Sequence, residues 1–143
     1  MVKLNYKTDE DFWIYGRKVR QMKECAEKME AYFTQKITGC TAQFAQLTAD
    51  NRADEAAFQK IRANVYDIFR TILSVAIKIK GSDPAAVRSF FLEKTEQIPV
   101  NWSKAYALAS ANGDGMRACI EEIKLDTVKE IRAAFLCTWK GKS

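Results

Sequence analysis

Hydrophobic residues recur at spacings of three and four through the middle of the chain, at Phe58, Ile61, Val65, Ile68, Ile72, Val75 and Ile79. That spacing keeps side chains on one face of an α-helix, and a strand, with its period of two, cannot use it. The run predicts a helix that ends at Lys78 and Lys80, with Gly81 just past its C-terminus. Phe69, Leu73, Ala76 and Ile77 form a further stripe beside the first. A helix this broadly apolar is expected at the centre of a bundle, with the outer stripe of Phe69, Leu73 and Ile77 as a candidate interface.

The flanking segments carry the same period. Before the central run, Phe12, Tyr15, Val19, Met22, Ala26, Met29, Phe33, Ile37, Cys40, Phe44 and Leu47 trace one face of a long first helix. Thr8 is placed to cap its start, and Asp9, Glu10 and Asp11 suit the positive end of the helix dipole. Gly16 and Gly39 lie inside it, each costing about 1 kcal/mol relative to alanine, so Gly39 is the expected place for a kink. Thr48 to Arg52 reads as a turn, with Asn51 capping the second helix. Asp83 and Pro84 restart the chain as cap and first helical residue. The third helix carries Val87, Phe90 and Phe91 and fades by Gln97, where Pro99 bends or splits the leg. A fourth segment runs through Trp102, Tyr106 and Ala109 to Asn112 and Gly113. Asp114 caps a fifth, whose face is Met116, Ile120, Ile123, Thr127, Ile131, Ala134 and Thr138.

These elements predict an all-α fold: an antiparallel four-helix bundle whose third leg is kinked or split at Pro99, giving five helical segments. Short turns at Gly81–Asp83 and Asn112–Asp114 force neighbouring legs to run antiparallel. With 143 residues and 48% hydrophobic composition, the chain reads as one domain, 1–143, able to bury its own core. Only 2 prolines and 6 glycines interrupt it, which favours long helices over many strands. The opening residues lack an apolar signal region and no apolar run is long enough to span a bilayer, so the expected location is cytoplasmic.

Charge adds one feature. The chain carries a formal +5. The antiparallel topology gathers Arg17, Lys18, Arg20, Lys78, Lys80, Arg88, Lys140 and Lys142 at one end, with Lys3 and Lys7 nearby and Trp13 and Trp139 among them. Cations interleaved with aromatics are what phosphate contact and base stacking require, so this end is a candidate basic binding surface. Lysines near helix C-termini are also ordinary dipole partners.

Chemistry is scarce. The absence of histidine (0 residues) removes Ser-His-Asp and Cys-His catalysis, His-ligated haem and mixed Cys/His zinc sites. No phosphate-binding glycine loop occurs. The run Asn112-Gly113-Asp114-Gly115 has the wrong ligand spacing for calcium and reads as a capped turn. Cys25, Cys40, Cys119 and Cys137 are too far apart in sequence for a CxxC motif, and read as small apolar residues of a reducing compartment. Glu121, Glu122 and Asp126 read as a solvated face. Arg70 beside Asp67 reads as a surface-reaching arginine, and an interhelical pocket lined by Tyr66, Arg70, Trp102 or Tyr106 is the one place for an active site. No catalytic residue, cofactor or metal ligand is therefore assigned. The expectation is a non-enzymatic interaction protein, a small adaptor or regulatory bundle that meets a protein partner or a second copy of itself. The alternative is a nucleic-acid-binding module using the basic, aromatic-containing end.

Overall fold

The computed structural model describes residues 9–139. The positions of Thr8, Lys3, Lys7, Lys140 and Lys142 lie outside these. Five helices follow in order: α1 (Asp9–Ala49), α2 (Ala53–Lys80), α3 (Pro84–Gln97), α4 (Pro99–Ala111) and α5 (Gly115–Thr138). They form a helical bundle in which α3 and α4 together make one bent leg.

The helix ends follow local chemistry. Gly39 does not interrupt α1, which runs unbroken for 41 residues. The helix stops at Asn51, whose backbone is left-handed (φ 59°). The amide of Arg52 then donates to the Leu47 carbonyl (2.8 Å) and that of Asn51 to Thr48 (3.1 Å), closing a Schellman motif. Asn51 thus ends α1 instead of capping α2, and the α2 cap, Arg52, makes no side-chain capping bond. Asparagine tolerates positive φ, and its C-terminal use wins over its N-cap preference. The α4 end repeats the device with Gly113 (φ 72°), and the Asp114 side chain accepts from the Arg117 amide (3.1 Å) to open α5. Asp83 caps α3 as expected, accepting from the amides of Ala85 (3.1 Å) and Ala86 (3.2 Å). Gly81 is right-handed (φ −63°), so it is not the left-handed terminator expected. A β-carbon there would collide with the Ile77 carbonyl oxygen.

The core lies where α1, α2, α3 and α5 meet. Phe33, Phe69, Phe91, Phe135, Met29 and Ile131 are fully enclosed. Phe91 packs edge-on to Phe69 (centroids 6.1 Å) and tilted on Phe135 (4.3 Å), and Phe135 stacks on Trp139 (5.2 Å). Such ring geometries are favourable beyond their area burial.

α2 is rotated relative to the sequence expectation. Its buried positions are Ala56, Val65, Tyr66, Phe69, Leu73 and Ala76. Of the periodic row only Val65 is fully inside. Phe58, Ile61 and Ile72 are half-buried, and Ile68 (40%), Val75 (40%) and Ile79 (67%) face solvent. The candidate interface was therefore placed on the wrong stripe: Phe69 and Leu73 are core, and Ile77 is half-buried against it. The physical reason is size. Rings bury more area than isoleucine, so turning Tyr66 and Phe69 inward outweighs burying the regular row. Arg70, Leu73, Ser74 and Ile77 share a shallow groove with Ala26, Glu27 and Glu30 of α1. With 100° between successive residues, Ile61, Ile68, Val75 and Ile79 point away from α1.

Pro99 sets the second half of the molecule. Ile98 keeps helical geometry (φ −62°, ψ −43°) and donates to Lys94 (3.1 Å), but Pro99 has no amide proton to continue the ladder. From α5, Arg132 clamps the turn, its guanidinium donating to the Leu92 carbonyl (3.3 Å) and Thr95 hydroxyl (2.7 Å) and pairing with Glu96 (3.3 Å). Beyond the bend α4 follows α5, with Lys124 over the Trp102 ring (5.7 Å), and approaches neither α1 nor α2.

Candidate functional site

The first part of α1 runs beside the α2–α3 turn, and the end of α5 meets α1 ten residues further along, so the helix ends at this pole are staggered. The Tyr15 hydroxyl donates to the Ser82 carbonyl between α2 and α3 (3.0 Å), and the Cys25 thiol to the Thr138 carbonyl at the end of α5 (3.1 Å). Arg17, Lys18, Arg20, Lys78 and Lys80 are exposed there, and Arg88 is half-buried with its Nε enclosed and lacking a hydrogen-bond partner. Trp13 is exposed. Trp139 is not part of this surface, because it is 2% exposed and stacked on Phe135. Exposed Glu10, Asp11 and Asp83 share the pole, so the cations do not stand alone. Stacking is thereby reduced to Trp13 and its edge-on neighbour Phe12 (6.1 Å).

The residues of the suspected interhelical pocket face different neighbours. Tyr66 points to α5, Arg70 pairs with Asp67 (2.6 Å), Trp102 lies under Lys124, and Tyr106 is exposed.

Sequence reasoning missed a carboxylate with three partners on two other helices. Glu130 Oε1 accepts from the hydroxyls of Tyr66 (2.9 Å) and Tyr32 (3.1 Å) and from Lys36 Nζ (3.1 Å), so α5 is tied to both α1 and α2. Burial pulls the Glu130 carboxyl upward, but the bonds from Lys36 and Tyr66, the Lys36 charge and the bond from Tyr32 outweigh it and hold the carboxyl below its ordinary 4.5. Burial first, and then the charge and hydrogen bond of Glu130, push Tyr32 and Tyr66 well above the ordinary 10.0. A carboxylate this well supplied with donors is a weak base, so the cluster works as a clasp between helices. The i, i+4 pair Tyr32–Lys36 was its only local trace in the sequence.

Glu121 also departs from expectation. It is 1% exposed rather than solvated, because it stands seven residues before Val128 and fourteen before Phe135 on the inward face of α5. Its Oε1 meets Arg117 (3.3 Å) and Lys124 (3.3 Å), whereas its Oε2 is enclosed without a partner. The cysteines are all free. Cys40 is buried, Cys25 and Cys119 are half-buried, and Cys137 is exposed, so the expected burial fails at Cys137.

A further unassigned feature is apolar. α4 has one charged residue, Lys104, in 13, yet leans on α5 alone past the bend and leaves Val100 and Leu108 exposed. Together with Ile68, Val75 and Ile79 of α2, these are exposed apolar helix positions among the described residues. Among the described residues no helix is long and apolar enough to cross a membrane. No protein-family model, curated protein or solved structure matches the chain.

Proposed function

We propose that this protein is a non-enzymatic helical interaction module that works through protein–protein contacts on its uncovered apolar faces. The observation that supports this reading is the row of Ile68, Val75 and Ile79, apolar and exposed along one side of α2 while Val65, Tyr66, Phe69, Leu73 and Ala76 of the same helix are enclosed. Single exposed aliphatic residues are ordinary, but an aligned row is the pattern of a surface meant to be covered. The α4 face, nearly free of charge, is a second such surface. A nucleic-acid role for the basic end draws less support, since Trp139 is withdrawn into the core and acidic groups stand among the cations.

The test is affinity capture from a lysate of the source cells with the wild-type chain and with Ile79→Glu/Leu108→Glu, both checked for equal helicity. The wild type is expected to retain a defined set of proteins that the variant loses. An identical set on both baits, or none on either and no self-association, overturns the reading.

A further inference from the structure

We propose that α4 is a local folding unit that closes over Glu121: it melts and re-forms as one segment while the core under α1, α2, α3 and α5 stays intact. This property of α4 is independent of any partner and goes beyond the interaction role.

Little holds α4 in place. Of its 13 residues only Pro99, Trp102, Ala105 and Ala109 are buried or half-buried, and two of these are alanines. Alanine removes little apolar area from water, and an isolated helix of this length is marginal. The polar bonds that tie the other helices together stop short of it. Glu130 joins α5 to α1 and α2, and Arg132 joins α5 to α3 as far as Glu96. Beyond Pro99, no side-chain hydrogen bond or ion pair among the described residues joins α4 to α5, and the polar contact between them is Lys124 over the Trp102 ring (5.7 Å).

A buried carboxylate opposes closure. Glu121 stands eleven residues before Arg132, so both lie on the side of α5 that faces the α3–α4 leg. Arg117 and Lys124 hold its Oε1, but its Oε2 is enclosed without a partner, and Ala105 and Ala109 of α4 carry no side-chain donor to meet it. When α4 melts, water reaches that oxygen. Closing α4 costs the carboxylate part of its hydration, so Glu121 sets how often the segment opens.

Both ends of α4 permit the change. Pro99 has no amide to carry the hydrogen-bond ladder on from α3, and Gly113 (φ 72°) ends the helix at the other side. Unfolded, 13 residues reach up to roughly 43 Å, against about 20 Å as a helix, so neither α3 nor α5 has to move. α5 stays packed on α2 and tied through Glu130.

The experiment is native-state hydrogen exchange of the full chain, followed by NMR at rising, sub-denaturing urea. Amides of residues 103–111 are expected to exchange through one shared opening, about a hundredfold or more frequent than the opening that frees residues 127–135. Ile131→Val, a small loss within the core, is expected to speed residues 127–135 about threefold and to leave residues 103–111 unchanged. Glu121→Leu is expected to slow residues 103–111 about tenfold or more. Residues 103–111 that exchange no faster than 127–135, that open one by one without a shared urea dependence, or that quicken along with 127–135 in Ile131→Val overturn the proposal. Exchange of residues 103–111 that does not slow in Glu121→Leu overturns the role given to Glu121.

Discussion

In the half of the molecule where α1, α2, α3 and α5 meet, Phe33, Phe69, Phe91 and Phe135 fill the space and none reaches solvent. In the other half, α1 pairs with α2 and α4 with α5, and the buried side chains include Leu47, Ala56, Ala109, Glu121 and Thr127. The same polypeptide thus has an aromatic core under four helices and a thin one under pairs. The difference starts at Pro99. Before it, α3 lies against α2 and α5; after it, α4 has only α5 to lean on. A helix held by one neighbour gains little from burial, so its stability rests on few contacts.

The largest effect separates these halves directly. Phe91→Ala removes the ring between Phe69 and Phe135 and is expected to cost about 3–5 kcal/mol, transfer and cavity terms together. Leu47→Ala, near the free ends of α1 and α2, is expected to cost about 2 kcal/mol, since the site can collapse. Urea denaturation of both variants checks the contrast, and equal losses erase it.

Glu121 gives a change of opposite sign. A carboxylate at a core position with Oε2 unpartnered is a burden on the α4–α5 pair. Glu121→Leu replaces it with a residue that suits its heptad neighbours Val128 and Phe135. It leaves Arg117 and Lys124 able to reach water, at 60% and 26% side-chain exposure. The expected outcome is a gain of about 1–3 kcal/mol in the urea-unfolding free energy. A loss instead means that the buried charge is needed for the fold.

How far the chain revealed this in advance depended on how local each feature is. Caps at Asp83 and Asp114, the bend at Pro99 and the five helices are set by residues within a turn of each other, and were legible. The rotation of α2 was not, because its apolar surface is wider than its neighbours cover, and the choice of inward stripe depends on which rings fit between α3 and α5. The heptad from Glu121 through Val128 to Phe135 was present in the sequence. Polarity alone had assigned Glu121 to water, whereas period assigns it to the core. The Glu130 clasp joins residues on three helices, and no spacing along one helix can announce it.

That clasp ties α5 to α1 and α2, and it predicts a pH dependence. A carboxyl held below its ordinary value binds its proton less tightly when folded. Its contribution is complete above pH 4.5 and is lost as pH falls through the lowered value. Tyr32 and Tyr66 are shifted the other way. Their contribution is complete below pH 10.0 and is lost as pH rises beyond it. Thermal midpoints against pH are expected to fall at both extremes. Glu130→Gln is expected to flatten the acid fall and to cost about 1 kcal/mol at neutral pH, a modest figure because Glu130 and Lys36 both reach water. An acid limb unchanged in Glu130→Gln assigns it to other carboxylates.

The smallest effect tests the finest contrast, between adjacent residues of α2. Ile68 belongs to the row that looked like the core, and Phe69 to the stripe that looked like an interface, yet Phe69 is enclosed and Ile68 is not. Phe69→Ala is expected to cost about 3–5 kcal/mol. Ile68→Lys, on the exposed side, is expected to change stability by no more than about 0.5 kcal/mol, measured on dilute monomer so that any pairing does not contribute. The comparison is sensitive because 100° of helix rotation separates the two side chains. If Ile68→Lys were the costly change and Phe69→Ala the mild one, α2 would be turned the other way and its regular row would be the core. The exposed surface that supports the interaction reading would then not exist.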